Sequence, residues 1–323
     1  MKKIAVLTSG GDSPGMNACL RAVVRSAAYH SVECTGIRNG YEGMIDGDYV
    51  AMHAASVSNI IQRGGTILGT ARSVRFLKTE FRKQAAQKMK SAGIEGVIIV
   101  GGDCSFTGAS VFFDEHKIPC IGIPGTIDND LGGTDYTLGY DTALNTVVEA
   151  IDKIRDTAAA HHRIFFVEVM GRDSGYIALN AGIASGAEDI VIPETETDVE
   201  KLIAKLKRGH KRQKQFAIVV VAEGDERGGA FGLAERVKSE LPDAEIRVSV
   251  LGHMQRGGNP SCKDRLLAAR YGYAAVQALL QNKTCLMTGE INNEIVLTPF
   301  SEVLKKQMPM KEDVLKMIEI LGC

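Results

Sequence analysis

Near its amino terminus the sequence reads KKIAVLTSGGDSPGMNA (residues 2–18), an apolar run followed at once by a glycine-rich turn. The run from Ile4 to Leu7 is short and continuous, which is typical of a parallel strand buried on both faces. Gly10 and Gly11 then allow the backbone to turn sharply and to approach a ligand without interference from a Cβ atom. This stretch therefore predicts a buried strand, a tight turn and a helix, in that order.

The same pattern returns further along the chain. Short apolar runs at 97–100, 165–169 and 218–221 each precede a turn that contains glycine. Between the runs, apolar residues recur at helical spacing, in three groups: Phe81, Ala85, Met89 and Ala92; Leu144, Val147, Val148, Ile151 and Ile154, with Asp141 or Thr142 as the helix N-cap; Leu202, Ile203 and Leu206. The alternation predicts an α/β fold of two doubly wound, mainly parallel sheet domains facing across a cleft, with ligands at the carboxyl ends of the strands.

Composition excludes several classes of protein. The chain has 323 residues, with 38 Lys and Arg against 39 Asp and Glu, so its formal charge is −1. A nucleic-acid binder would show a basic excess, and the apolar runs are far shorter than the ~20 residues that cross a bilayer, so we expect neither partner. Seven scattered cysteines without a CxxC pattern favour reduced thiols and a cytoplasmic location.

Two turns carry a Gly-Gly-Asp sequence, at 10–12 and at 101–103. Neither matches the GxGxxG dinucleotide fingerprint or the Walker A loop. Their free backbone N–H groups suit phosphate oxygens. Asp103 would repel a bare phosphate and therefore calls for a cation such as Mg²⁺, which binds one or two carboxylates together with phosphates and water. For one such turn alone, a structural role in which the Asp caps a helix is the favoured alternative.

A second candidate for chemistry is PGTIDND, residues 124–130. If this segment is extended, Thr126, Asp128 and Asp130 project from one face, because side chains alternate along a strand. One carboxylate could then take a proton from an attacking hydroxyl while the other serves a metal, as phosphoryl transfer requires. An Asx-rich turn without catalytic meaning is the alternative.

Basic side chains form two further sets. The first consists of Arg72, Arg163, Arg172, Arg247, His253 and Arg256, and three of the six, Arg172, His253 and Arg256, are adjacent to glycine. Arginine suits bidentate recognition of phosphate, although any single one is more typical of a solvated surface charge. The second set is Arg21, Arg25, Arg155, Arg212 and Lys214. Arg21 and Arg25 share a helix face and repel each other unless an anion or an acid lies between them.

Taken together, six segments resemble the bacterial ATP-dependent 6-phosphofructokinases over essentially the whole chain. They are TSGGDSPGMNA (8–18), RGGTILGTAR (63–72), IVGGDCS (99–105), PGTIDNDLGGTDYTLGYDTALNT (124–146), VEVMGRDSG (167–175) and VLGHMQRGG (250–258). The resemblance implies a glycolytic kinase that transfers the ATP γ-phosphoryl group to the 1-hydroxyl of fructose 6-phosphate, with Mg²⁺, as a homotetramer. We expect a nucleotide-binding domain of residues 1–138 and 252–303, and a sugar-phosphate domain of residues 139–251 and 304–323.

The resemblance also implies roles for individual residues. Asp128 would be the catalytic base, assisted by Thr126 and Arg172. The ATP site would comprise Gly11, Arg72, Ser73, Gly102, Asp103 as the Mg²⁺ ligand, Cys104 and Ser105. The sugar phosphate would contact Thr126, Ile127, Asp128, Met170, Gly171, Arg172, Glu223, His253, Met254, Gln255 and Arg256, with Arg163 and Arg247 from a neighbouring subunit. An effector site for ADP or phosphoenolpyruvate would comprise Arg21, Arg25, Arg155, Glu188, Arg212 and Lys214.

Two positions depart from the family pattern. Cys104 replaces a usual glycine of the second turn, and Ala54 replaces a usual arginine of the effector site. Because a charge-assisted contact to phosphate is missing at position 54, we expect ADP and phosphoenolpyruvate to be weak effectors. At the donor site, Gly125 is of the ATP type, and Cys104 is neutral, so it does not repel an α-phosphate electrostatically, although its side chain could crowd the nucleotide.

Other functions remain open at this stage. The main enzymatic alternative is a pyrophosphate-dependent phosphofructokinase, which a comparison of phosphoryl donors would separate. An NAD-type kinase also uses a Gly-Gly-Asp turn, but it would not need the glycine-flanked arginines. A catalytically idle nucleotide or sugar-phosphate sensor would have no use for a base such as Asp128. The missing dinucleotide fingerprint disfavours an oxidoreductase.

Overall fold

The computed structural model describes residues 1–196, 198–211, 216–224, 228–304 and 312–321. Helices and strands alternate through most of it. The strands are β1 (Lys3–Thr8), β2 (Glu33–Ile37), β3 (Tyr49–Met52), β4 (Gly96–Gly101), β5 (Cys120–Pro124), β6 (Ile164–Val169), β7 (Asp189–Val191), β8 (Ala217–Ala222), β9 (Ile246–Val250), β10 (Leu286–Ile291) and β11 (Glu294–Pro299).

The α-helices are α1 (Met16–Tyr29), α2 (Gly40–Asp46), α3 (Thr79–Ser91), α4 (Asp103–His116), α5 (Tyr140–His161), α6 (Tyr176–Ala184), α7 (Val199–Lys211), α8 (Gly229–Glu240), α9 (Cys262–Leu280), α10 (Phe300–Val303) and α11 (Glu312–Leu321). Short 3₁₀ helices cover Arg75–Leu77 and Gly252–Arg256. The chain divides into two compact units. The first unit comprises Met1–Thr142 and Arg256–Met308, and the second unit comprises Ala143–Gln255 and Pro309–Cys323.

The first unit contains a seven-stranded sheet with the strand order β11-β10-β5-β4-β1-β2-β3. Its strands run parallel except at the two edges, where β3 is antiparallel to β2 and β11 is antiparallel to β10. Along β1 the side chains alternate between two cores. Ile4 and Val6 pack with α1 and α9 on one face, and Ala5 and Leu7 pack with α2, α3 and α4 on the other. Helices thus cover both faces, as predicted for a doubly wound sheet.

The second unit contains four parallel strands in the order β7-β8-β6-β9. Phe166, Val219 and Val221 of this sheet pack against apolar side chains of α7 and α8. The predicted apolar runs at 165–169 and 218–221 lie in β6 and β8, and the predicted stripe at 144–154 lies in α5. The α/β fold class is therefore confirmed. Helix α5 begins at Tyr140, before the predicted caps Asp141 and Thr142.

Within the described residues, none of the helices has both the length and the apolar character needed to cross a bilayer.

Candidate active site

The three sequence motifs of the first unit meet at one edge of its sheet. Strands β1, β4 and β5 are neighbours, so the turns that follow Thr8, Gly101 and Pro124 emerge side by side. Backbone hydrogen bonds tie them together: the amide of Ser9 donates to Val100 O at 2.9 Å, and that of Gly125 donates to Gly101 O at 2.9 Å. In a parallel sheet, this carboxyl edge is where ligands bind.

In the first turn, Gly11, which is predicted to bind ATP, lies against Arg256, which is predicted to bind the sugar phosphate. The Arg256 guanidinium donates a hydrogen bond from Nη1 to the carbonyl of Asp12 at 3.2 Å. A Cβ atom added to Gly11 would lie 2.5 Å from the same Nη1. A Cβ atom at position 11 would displace the guanidinium from this place, so Gly11 and Arg256 form one local arrangement within the first unit.

The second turn opens helix α4. Gly102 is the N-cap and makes no side-chain capping bond, so Asp103 is the first residue of the helix and not its cap. Its carboxylate lies in the first helical turn, where the helix dipole favours negative charge. Cys104 is exposed, whereas Ser105 is buried and donates a hydrogen bond to the Ser9 hydroxyl at 2.9 Å. Ser105 therefore fixes the first two turns to each other.

The third turn differs from the expected extended segment. The Thr126 hydroxyl accepts a hydrogen bond from the Asp128 amide at 3.2 Å, and Asn129 adopts a left-handed backbone with φ of 52°. Because this bend interrupts the alternation of a strand, Thr126 and Asp128 are both buried while Asp130 is partly exposed. Ile127 is fully buried.

Sequence reasoning missed the residues that hold this turn. The buried Asn129 side chain accepts from the Thr137 amide at 2.8 Å and donates to the Asp135 carbonyl at 3.2 Å. The Thr137 hydroxyl donates in turn to the Thr126 carbonyl at 2.6 Å. The only sequence signal was an asparagine between two aspartates, since asparagine tolerates the left-handed conformation.

A buried carboxylate on α9 helps to hold the start of helix α5. Asp264 accepts hydrogen bonds at 2.8 Å from the amides of Gly139 and Thr142, and a further one from the Thr142 hydroxyl. It thereby satisfies N–H groups at the start of α5, directly after the third turn. Burial raises the pKa of Asp264, although these hydrogen bonds act in the opposite direction.

Arg72 and Ser73 lie in the segment before α3. Arg72 is exposed, whereas the Ser73 hydroxyl bonds Glu42 and accepts from the Phe76 amide at 3.1 Å. Burial raises the pKa of Glu42, but hydrogen bonds from Ser73 and Arg75 outweigh it, so the pKa of Glu42 lies below its ordinary value. The Ser73 hydroxyl is therefore part of an internal network.

In the second unit, predicted sugar-binding residues meet at the carboxyl edge of β6 and β8. The Glu223 carboxylate accepts from the Arg172 amide at 2.9 Å and from the Gly171 amide at 3.4 Å. Gly171 has a φ of 152°, and a Cβ atom there would lie 2.1 Å from the Ser174 carbonyl. The structure thus places Gly171, Arg172 and Glu223 in one cluster.

Three predicted sugar-phosphate residues of the 252–256 segment differ in their exposure to solvent. Gln255 is fully buried, and its side chain accepts from the Met170 amide at 3.2 Å and donates to Gly252 O at 3.0 Å. Gln255 therefore supports Met170. His253 and Met254 are exposed.

Arg163 and Arg247 lie at the opposite edge of the second sheet. Arg163 directly precedes β6, and Arg247 is the second residue of β9. Both form ion pairs with Glu245, Arg163 through Nε at 2.9 Å. Met170 follows the far end of β6, seven residues from Arg163, which corresponds to about 23 Å along a strand. Within one chain, these arginines and the Gly171 cluster are separate.

The amino-acid sequence of this chain is similar to those of known proteins. The family model for phosphofructokinase matches residues 3–279. This chain belongs to the phosphofructokinase family. The ATP-dependent 6-phosphofructokinases of Cytophaga hutchinsonii and Bacillus subtilis are each 52% identical to it over 322 residues, covering 98% and 100% of those proteins. ATP-dependent 6-phosphofructokinase 1 of Thermus thermophilus is 53% identical over 322 residues. Each match covers 100% of this chain.

Solved phosphofructokinase structures share the fold. The Saccharomyces cerevisiae phosphofructokinase is 36% identical with a TM-score of 0.89, and the match covers 100% of this chain and 47% of the yeast chain. The present chain thus spans about half the length of the yeast chain. A pyrophosphate-dependent phosphofructokinase from Marinobacter aquaeolei has a TM-score of 0.86 at 24% identity, with 99% of this chain and 91% of that chain covered, and shows the fold alone.

The residues that the phosphofructokinase resemblance assigns to an effector site are distributed over both units. Arg21 and Arg25 lie on α1, one partly and one fully exposed. In the second unit, Arg155 donates to the carbonyls of Ser185 and Gly186 and lies over the Phe216 ring, and buried Glu188 accepts from the Ile218 amide. Arg212 and Lys214 lie outside the described residues.

Ala54 lines a groove beside α1. The groove has a volume of about 550 Å³, and its lining includes Val24, Ala28, Met52 and His53. The lining also includes Lys3 and Glu33, which form an ion pair, and an arginine in place of Ala54 would add a further positive charge. The departure from the family pattern therefore falls on a concave surface of the first unit.

Proposed function

We propose that this phosphofructokinase transfers the γ-phosphoryl group of ATP to the 1-hydroxyl group of fructose 6-phosphate, yielding fructose 1,6-bisphosphate and ADP. The observation that carries the proposal is the meeting of the turns after β1, β4 and β5, which gathers the glycine backbone, Asp103 and Asp128 at one sheet edge. The family membership and the ATP-dependent relatives support the choice of donor.

Asp128 is proposed as the base. As the 1-hydroxyl oxygen attacks the γ-phosphorus, its proton passes to the Asp128 carboxylate. Thr126 fixes the position of this residue, since its hydroxyl accepts from the Asp128 amide at 3.2 Å. Burial of both side chains limits competition from water.

ATP is assigned to the Gly11 turn and the amino terminus of α4, where the helix dipole suits phosphate oxygens. Among the described residues, no group of three or more His, Cys, Asp or Glu could hold a metal by itself. Asp103 offers hard oxygen ligands, which fits Mg²⁺ bound by one carboxylate and the phosphates of ATP. When bound, Mg²⁺ neutralises phosphate charge. Arg72 and Arg172 are proposed to stabilise charge on the transferring group.

The sugar is assigned to Met170, Gly171 and Glu223, and its 6-phosphate to His253 and Arg256. Arg163 and Arg247 are proposed to join this pocket from another copy of the chain, because Arg163 lies about 23 Å from Met170 along β6 and Arg247, opposite Phe165, lies about 17 Å from it. This separation supports sites that neighbouring copies complete, and the family resemblance suggests that the copies form a homotetramer. We place the enzyme in the cytoplasm.

Donor specificity is tested with a coupled assay. Fructose 6-phosphate and Mg²⁺ are supplied with either ATP or pyrophosphate, and ³¹P NMR identifies the product. We expect turnover with ATP and little with pyrophosphate. Preferred use of pyrophosphate would refute the assigned donor.

The role of the base is tested by Asp128→Ser. We expect Asp128→Ser to nearly abolish kcat while fructose 6-phosphate still binds. Near-normal kcat in Asp128→Ser would overturn the mechanism.

Shared sites are tested by mixing two inactive variants. Asp128→Ser and Arg247→Ala are unfolded together and refolded together, so that hybrids form. Sites that take Asp128 from one variant chain and Arg247 from the other are then intact, and activity should return. No recovery in hybrids shown to be mixed by mass spectrometry would refute sharing.

A further inference from the structure

Two cysteines outside the proposed active site lie side by side in the first unit. Cys120 begins β5, and Cys285 directly precedes β10. The two strands are parallel neighbours, with Leu286 opposite Ile121, and the Cys285 amide donates to the Cys120 carbonyl at 2.8 Å. Their sulfur atoms are 3.9 Å apart. Both are present as free thiols.

The pair lies within reach of a disulfide. Neighbouring strands are about 4.8 Å apart, which lies within the range of about 4.4–6.8 Å between the Cα atoms of bonded cysteines. The sulfur atoms, 3.9 Å apart, would need to approach by about 2 Å to form the bond.

The two thiols differ in the way that a reactive pair requires. Cys120 is fully buried and its sulfur lies 3.7 Å from the Ala109 carbonyl, whereas Cys285 is half-buried and reachable from solvent. The hydrogen bond from the Cys120 thiol lowers the pKa of Cys285, and the Thr284 hydroxyl and Lys117 act in the same direction against burial and Asp114. The hydrogen bond between the two thiols and burial both raise the pKa of Cys120. Because Cys120 is fully buried and Cys285 is partly exposed, a small oxidant reaches Cys285 first, and the thiolate is the form that reacts.

We propose that Cys120 and Cys285 are a modification site for hydroperoxides, in which Cys285 reacts first and Cys120 then closes a disulfide. In the first step the Cys285 sulfur attacks the O–O bond of hydrogen peroxide. An S–O bond forms, the O–O bond breaks, and the departing oxygen leaves as water once protonated. In the second step the Cys120 sulfur attacks the Cys285 sulfenic acid. The S–S bond forms, the S–O bond breaks, and the second oxygen leaves as water with the Cys120 proton.

Other cysteines of the chain supply internal references. Cys19 and Cys34 are buried, and burial raises the pKa of Cys34 to about 12, so both should stay reduced. Cys104 and Cys262 are exposed, so they report the reaction of accessible thiols. A specific site must react ahead of these exposed thiols.

The test treats the intact protein with a small excess of hydrogen peroxide, blocks remaining thiols with N-ethylmaleimide, and maps peptides by mass spectrometry. We expect an early product that has lost about 2 Da, the mass of two hydrogens, with the Cys120 and Cys285 peptides linked. If Cys262 or Cys104 is oxidised first and no linked peptide forms, the proposal fails.

Two variants separate the roles of the thiols. In Cys120→Ser the sulfenic acid on Cys285 has no partner, so dimedone should label Cys285 faster than Cys262. The second variant, Cys285→Ser, changes the partly exposed cysteine and leaves the buried Cys120 in place. In this variant, Cys120 should remain reduced under the same treatment. Oxidation of Cys120 in Cys285→Ser as fast as in the unaltered protein would overturn the assigned order.

Discussion

Asn129 offers a quantitative test of how the catalytic turn is held. Its buried side chain makes two hydrogen bonds, to Thr137 N at 2.8 Å and to Asp135 O at 3.2 Å, and its backbone is left-handed with φ of 52°. Replacing it by alanine removes both bonds and leaves their partners unpaired, at a cost of about 2 kcal/mol. Alanine in the left-handed region adds about 1 kcal/mol. The total is about 3 kcal/mol for Asn129→Ala and about 2 kcal/mol for Asn129→Gly, which tolerates the backbone.

These free energies translate into melting temperatures. For a unit of about 200 residues, each kcal/mol lowers Tm by about 2–4 °C. Calorimetry should therefore show a loss of about 6–12 °C for Asn129→Ala and about 4–8 °C for Asn129→Gly. Since Asp128 is adjacent, kcat should fall by about 10- to 100-fold in both variants.

The matched control is Asn59→Ala. Asn59 has nearly the same backbone, with φ of 54°, but its side chain is exposed. Only the backbone contribution of about 1 kcal/mol should appear, with kcat unchanged. The reasoning is refuted if Asn129→Gly melts like the unaltered protein, or if Asn59→Ala is as damaging as Asn129→Ala.

Three further outcomes are expected. Cys104→Gly should lower the KM for ATP, because the exposed side chain at the start of α4 no longer crowds the nucleotide; an unchanged KM in steady-state kinetics argues against crowding. Ala54→Arg should lower the ADP concentration that half-saturates its effect on fructose 6-phosphate binding by about tenfold or more, since a charge-assisted contact is added; an unchanged ADP titration contradicts this. The pKa of Glu42 is lowered in the folded state, so its contribution to stability is complete above its unfolded pKa and is lost as pH falls through the folded pKa. As the pH falls from about 5 to about 3, the Tm of Glu42→Gln should therefore decrease less than the Tm of the unaltered protein, as measured by calorimetry.

Local sequence was enough to predict strands β1, β4, β6 and β8, helices α1, α3, α5 and α7, and the turns that carry chemistry. The apolar run before Gly10 and the stripe from Leu144 to Ile154 lie in a strand and a helix as expected, because burial of a repeating side-chain pattern is a local property of each element. Glycine pairs marked the places where the backbone turns sharply, since few other residues permit such turns. The motifs also indicated the family, because their resemblance to known sequences does not depend on knowing the fold.

Tertiary structure decided which groups meet and which conformations they adopt. The turn at 126–129 is bent because Thr126, Asn129 and Thr137 bond one another, and no periodicity encodes those partners. Strand order brings the turns after β1, β4 and β5 together, while the length of β6 keeps Arg163 away from Met170. Asp264, far along the chain, supports the start of α5. Such contacts depend on how distant segments pack, because a hydrogen bond is satisfied by position in space and not by separation in sequence.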